Sequence, residues 1–171
     1  DNSSGNNTLT AGAGNNDVLS AVNSTGNNTL TAGIGNNNVY DIRGAAGDNT
    51  VNGGNGVNAN FYADAGIYHL VGGTRNDTFN LGGVANAAST IVGNAGANRI
   101  VVSGYADISG IGSISGVQTV VANHIGLRQS QIINFGTFLA VGPDHRIDAM
   151  TAGTFSLIGK STDRFDLYAM N

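Results

Sequence analysis

The chain of 171 residues has no cysteine, no tryptophan and no glutamate, one proline, and one lysine, Lys160. Without cysteine there is no disulfide framework and no thiolate metal site, which fits a secreted protein that folds without cross-links. Helices draw heavily on Glu and Lys, so their near absence argues against a mainly helical domain. No run of about eighteen apolar residues occurs, which excludes a transmembrane helix. Charge is scarce as well: 11% of residues are charged and the net charge is −4. It is spread evenly, with six Asp and three Arg up to residue 103 and five Asp, three Arg and the lysine beyond it. No basic patch exists, so neither nucleic acid nor anionic lipid is expected as the main partner. The opening DNSSGNNTL has no charged or strongly apolar leader region, so any N-terminal signal is expected to have been removed or to lie elsewhere.

What fills the composition instead is asparagine, 24 residues, and glycine, 27. Both favour turns, glycine because it adopts positive φ and Asn because it tolerates it. They are ordered by a repeat. GNNTLTAGAGNN (Gly5 to Asn16) returns as GNNTLTAGIGNN (Gly26 to Asn37), one residue changed, 21 positions later. Continued, the period gives units 5–25, 26–46, a shortened 47–65, 66–86 and 87–107. The fifth place in each is aliphatic: Leu9, Leu30, Val51, Leu70, Ile91. The twelfth is Asn16, Asn37, Asn58, Asp77, Asn98, and the third opens Asn7, Asn28, Asn49. The fourteenth reads Val18, Val39, Asn60, Phe79, Ile100, with Phe61 suggesting a one-residue slip in the short unit.

A fixed period near twenty residues marks a solenoid with one repeat per coil. Each unit holds two strand-like patches, such as TLT and DVL, separated by Gly/Asn turns. The expected fold is all-β: a parallel β-solenoid with about 21 residues per coil and two short strands per coil, stacked about 4.8 Å apart. Residues 1–107 form the repeats, and 108–171 an irregular continuation with a β-rich cap from about residue 127, where the apolar runs QIINFGTFLAV and TFSLIG lie. Stacked Asn residues can donate to and accept from one another and the turn backbone. Asn7, Asn28, Asn49, Asn16, Asn37, Asn58 and Asn98 are therefore the expected structural ladders.

The half-repeats GAGNNDVL (Gly12 to Leu19), GIGNNNVY (Gly33 to Tyr40) and GGTRNDTFN (Gly72 to Asn80) resemble the glycine-rich nonapeptide of the RTX family. The resemblance covers roughly residues 3 to 103. It implies a β-roll that binds calcium through the motif Asp, in a bacterial, extracellular protein. Two features depart from the family pattern. Asn replaces the motif Asp everywhere except Asp77, and the coil is three residues longer than a pair of nonapeptides. Calcium gains much of its affinity from anionic oxygens, so amide ladders are expected to take its place, with weak retention of calcium at Asp77 left open. Asp17 and Asp48 flank the motif slot and are expected to be solvated turn residues.

Catalytic constellations are lacking. His69, His124 and His145 show no metal-ligand spacing, and His69 shares a column with Thr8, Thr29, Thr50 and Thr90 that is expected to face outward. Asp144, His145 and Asp148 fit a polar loop after Pro143. IGKST (Ile158 to Thr162) lacks the earlier glycine of a phosphate loop, since position 154 is Thr. A polysaccharide lyase would need clustered basic residues, and Arg43, Arg75 and Arg99 lie in different columns. The expectation is a non-enzymatic structural protein of the bacterial exterior, self-associating as a surface layer, adhesin or filament, with cell-surface polysaccharide as a further partner. The alternative is a non-catalytic module of a secreted polysaccharide-modifying enzyme that aids export, folding or carbohydrate binding.

Overall fold

A computed structural model describes residues 3–56, 58–152, 154–158, 160–162 and 164–170, the side chains of 161 and 162 excepted. The first coils supply β1 (Asn7–Thr10), β2 (Val18–Ser20), β3 (Asn28–Thr31), β4 (Val39–Asp41), β5 (Asp48–Asn52) and β6 (Asn60–Ala63). The middle coils add β7 (Ile67–Val71), β8 (Thr78–Leu81), β9 (Gly83–Val84), β10 (Thr90–Val92) and β11 (Arg99–Asp107). Then follow β12 (Ser113–Ser115), β13 (Thr119–Leu127), a one-turn helix α1 (Gln129–Ile132), β14 (Thr137–Ala140), β15 (Arg146–Ala149), β16 (Ser161–Thr162) and β17 (Asp166–Ala169).

The strands sort into two sheets, and every pairing between them is parallel. One sheet runs β1-β3-β5-β7-β10-β12; the other runs β16-β14-β13-β11-β8-β6-β4-β2. This is a parallel β-solenoid. Two strand positions per coil hold through β8. From β9 onward a third is added, because β11 and β13 are long enough to bend: their register shifts between Val102 and Tyr105, and the far halves pair with β9 and β15. The region expected as continuation and cap supplies the strands from β12 onward, which extend both sheets.

Alternation along each strand buries one column per sheet. In the first sheet Leu9, Leu30, Val51, Leu70, Ile91 and Ile114 align in register, and the four from Leu30 to Ile91 are wholly buried. In the second sheet the buried column is Leu19, Tyr40, Phe61, Phe79, Ile100, Val120 and Phe138. The sequence reading placed Val18, Val39 and Asn60 in that column. They stand one residue earlier and face outward, Val18 being 67% exposed. Phe61 is thus the regular core residue, its ring 4.8 Å from that of Phe79 and 5.1 Å from that of Tyr40. The slip lies in the turns. Seven residues join β1 to β2, β3 to β4 and β5 to β6, but only six join β7 to β8 and β10 to β11.

One place in the turn between the sheets leaves no room for a side chain between coils. A Cβ on Gly35 would overlap the carbonyl oxygen of Gly14 in the coil below, so that place in the coil belongs to glycine.

This register separates two neighbouring substitutions. Phe61→Ala is expected to lower the unfolding free energy by about 3–5 kcal/mol, and Asn60→Ala by less than about 0.5 kcal/mol, as read from denaturant unfolding. A greater loss from Asn60→Ala than from Phe61→Ala would place Asn60 in the core column instead.

Candidate functional site

A turn presents backbone groups that no strand pairs, and here side chains of adjacent coils take them up. In the first of three polar columns, Asn7 Nδ2 donates to Asn28 Oδ1 at 2.7 Å and Asn28 Nδ2 to Asn49 Oδ1 at 2.6 Å. These two nitrogens and Asn49 Nδ2 reach back to the carbonyls of Gly5, Gly26 and Gly47 respectively. Asn28 and Asn49 are fully buried. Ser24, also buried, braces this ladder: its hydroxyl donates to the Ser3 carbonyl at 3.0 Å, and its Oγ lies 3.3 Å from Asn28 Oδ1. The ladder ends where Tyr68 aligns with Asn49.

The second column is exposed. Asn37 Nδ2 donates to Asn16 Oδ1 at 3.4 Å, and Asn58 Nδ2 to Asn37 Oδ1 at 3.2 Å. All three have positive φ, between 58° and 64°, so here Asn serves backbone geometry at least as much as bonding.

Asn98 does not join that column. The shortened turn moves it one place, into a third column of Asp17, Asn38, Ala59, Asp77, Asn98 and Gln118. In this column the side chain of one coil accepts the backbone N–H of the coil before. Asn38 Oδ1 takes the Asp17 N–H at 3.0 Å, Asp77 Oδ1 that of Ala59 at 3.2 Å, Asn98 Oδ1 that of Asp77 at 2.8 Å, and Gln118 Oε1 that of Asn98 at 2.8 Å. Asp17 belongs to this column rather than to a solvated turn, and one of its carboxylate oxygens is buried. Asp48 is exposed as expected but stands in a strand, as the first residue of β5, its Oδ1 3.2 Å from His69 Nε2. The sequence reading missed Asn38, although the third Asn in GIGNNN stands 21 places after Asp17.

Asp77 is 1% exposed. Burial pushes its pKa up to about 6 against the N–H donors of Gly73 and Ala59, which pull it down.

A second polar cluster lies on the outer side of the third strand position. His124 Nε2 is 2.8 Å from Asp148 Oδ2, and Arg146 Nε donates to Asp148 Oδ1 at 2.5 Å. The Tyr105 ring packs 4.5 Å from the His124 ring, and the Arg146 guanidinium stands 4.1 Å above that of Tyr168. Asp144 instead exchanges two hydrogen bonds with Asn123. The structure thus does not gather Asp144, His145 and Asp148 into one site. No residue spacing signalled His124 with Asp148, because the pairing depends on the length of the loop between β13 and β15. In IGKST, Gly159 lies outside the described residues.

The family model for the RTX calcium-binding nonapeptide repeat (4 copies) matches residues 3–20, 23–40 and 41–58. No curated protein and no solved structure matches the chain. The donors in these blocks do not fit a calcium ion, which takes six to eight oxygens, anionic ones among them. Most turn positions carry amides whose oxygens are already spent on the neighbouring coil. Of the carboxylates in these blocks, Asp41 is held by Arg43, Asp48 lies beside His69, and Asp17 belongs to no cluster of three such side chains among the described residues; Asp77, held by two N–H groups, lies outside the blocks. Among the described residues no three His, Cys, Asp or Glu side chains converge.

Two outcomes follow from the columns. Asn28→Ala leaves buried groups of both neighbouring coils unpaired and is expected to lower stability by about 1–3 kcal/mol, whereas Asn37→Gly keeps the positive φ and shifts it by less than about 0.5 kcal/mol; chemical denaturation reads both. The folded pKa of Asp77 lies above the ordinary carboxylate value, so its stabilising contribution is complete below about 3.9 and is lost as pH rises through about 6. Thermal unfolding is expected at higher temperature at pH 5 than at pH 7.5, and Asp77→Asn is expected to flatten that difference.

Proposed function

Since the chain opens on repeats of the RTX calcium-binding nonapeptide family, wound with the later coils into one parallel β-solenoid, we propose that it is a structural protein of the bacterial exterior. It self-associates as part of a surface layer, adhesin or filament, and amide ladders join its coils in place of calcium. The observation that carries this reading is the buried Asn7–Asn28–Asn49 ladder, which sits inside the matched blocks. It closes each coil on the next without a counterion. Lateral association is supported by the outer side of the first sheet, where Thr8, Thr29, Thr50, His69, Thr90 and Ser113 align in register. That face is regular and nearly uncharged, and copies can pack against it without desolvating many charges. No catalysis belongs to this reading. Among the described residues no helix is long and apolar enough to cross a membrane.

The alternative, a non-catalytic module of a secreted polysaccharide-modifying enzyme, is favoured by the Tyr105–His124–Arg146–Tyr168 row, where aromatic rings alternate with polar groups on one lateral face.

Thermal unfolding in excess calcium and in chelator is expected to agree within about 2 °C, the shift that a fraction of a kcal/mol produces in a chain of this size. Light scattering and electron microscopy are expected to show ordered assemblies that grow with concentration. A chelator-melted domain sinks the ladder reading, and a monodisperse monomer at high concentration sinks the assembly reading.

A further inference from the structure

The arginines of the chain are not used alike. Arg43 is held by Asp41 at 2.5 Å, Arg146 by Asp148, and Arg128 donates to the Ile111 carbonyl. Arg75 makes no hydrogen bond or ion pair among the described residues, and Arg99 spends only Nε, on Thr78 Oγ1 at 3.1 Å. Both guanidinium groups therefore keep unpaired donors. The columns separate them in sequence, but the fold brings them to one flank. Two adjoining cavities, of about 550 Å³ and 300 Å³, share Asn58 and Asn76 as walls; Arg75 lines the first and Arg99 the second.

The notch lies where the repeat changes. The exposed Asn16–Asn37–Asn58 column stops at Asn58, because the next turn is one residue shorter. The walls add hydrogen-bonding capacity: Asn76 spends its side-chain oxygen on the Ala97 N–H at 2.8 Å and keeps its amide nitrogen as a donor. Asp77 lies in the wall of the smaller cavity, yet its two oxygens are engaged by Gly73 and Ala59. It makes no ion pair with either arginine. A chain of net charge −4 thus holds two cations that make no ion pair among the described residues, with amide donors, in two adjoining recesses.

We propose that this notch binds oxyanion groups, carboxylate or sulfate, carried on an acidic polysaccharide. A guanidinium offers a planar fork that matches either group with two parallel hydrogen bonds. One exposed pair of this kind is worth only about 0.2–1 kcal/mol, too little to retain a free anion. Two adjoining recesses, each with its own arginine, suit anionic groups repeated along a polymer, where the second contact forms at high effective concentration. The site adds a ligand to the structural reading and does not depend on self-association.

The test uses the whole chain with four probes: polygalacturonate, dextran sulfate, uncharged dextran and free sulfate, with binding followed by calorimetry and by biolayer interferometry at increasing salt. Polygalacturonate or dextran sulfate is expected to bind, more weakly as salt rises, while dextran does not bind. The double variant Arg75→Gln/Arg99→Gln is expected to lose about tenfold in affinity, roughly 1.4 kcal/mol. Arg43→Gln is expected to bind as the parent does, and matching unfolding temperatures for the three proteins show that the fold is kept. Equal binding by the double variant and Arg43→Gln overturns the site. Binding of dextran as tight as that of the charged polymers overturns the ligand class. Displacement of the polymer by free sulfate at equal concentration of charged groups overturns the polymeric source, and no binding of any probe overturns the whole.

Discussion

An amide side chain that donates to one coil and accepts from another is the interaction on which the rest of this stack depends. Strand ladders pair the backbone only where the chain is extended, and each reversal leaves N–H and C=O groups facing the coil above or below. Water cannot reach the inner ones. Asn is suited to the place because its two polar atoms are complementary, so identical residues bond to one another in a column of any length. A carboxylate cannot do this, since it only accepts and its charges repel when stacked. A column of Asp therefore needs a cation between every pair of coils, whereas a column of Asn is neutral throughout. The low charge of the chain and the poverty of acidic convergence among the described residues are two sides of that one substitution.

The period of 21, the parallel stacking, the aliphatic column from Leu9 to Ile91 and the outward threonines were legible from spacing alone, because each rests on one residue type recurring at one interval. The buried Asn7–Asn28–Asn49 contacts were legible for the same reason. What failed was the phase. Asn98 and Asp77 occupy the same repeat position as Asn37 when counted from the first glycine, but the turn between the sheets loses one residue after β7, and a shift of one in a coil exchanges an exposed αL position for a buried acceptor. The two-residue shortening of unit 47–65 is taken up between β6 and β7, and the residue lost between β7 and β8 is regained before β10, so that loss leaves no trace in the unit lengths. The cluster of Tyr105, His124, Arg146, Asp148 and Tyr168 was illegible for a different reason. It depends on a third strand position that exists only because β11 and β13 bend, and no periodic signal carries a bend.

Asp77 shows what the amides avoid. It occupies the column of Asn38 and Asn98, accepts the same kind of backbone N–H, and is as deeply buried. Its charge is nevertheless poorly solvated: two N–H donors do not offset the burial, and its pKa rises to about 6. An amide in that place makes comparable hydrogen bonds without transferring a charge out of water. Ala59 has no polar side-chain atom, so the column's bond is missing below it, between the coils of Asn38 and Ala59, and resumes where Asp77 accepts the Ala59 N–H.

Irregularity and recognition coincide for a geometric reason. In an unbroken stack every outward position repeats at the coil spacing, each side chain is flanked by its own copies, and neighbouring polar groups satisfy one another. A ligand finds nothing unpaired. When one turn shortens, the columns on that flank go out of phase: Asn58 loses the next member of its ladder, and the turn above it contributes to two recesses, one lined by Arg75 and the other by Arg99 of the following coil. The same deletion that sets Asp77 into the core therefore leaves unpaired donors on the surface beside it. The regular coils supply the rigidity that fixes those donors in place, and the single break in their regularity supplies the donors.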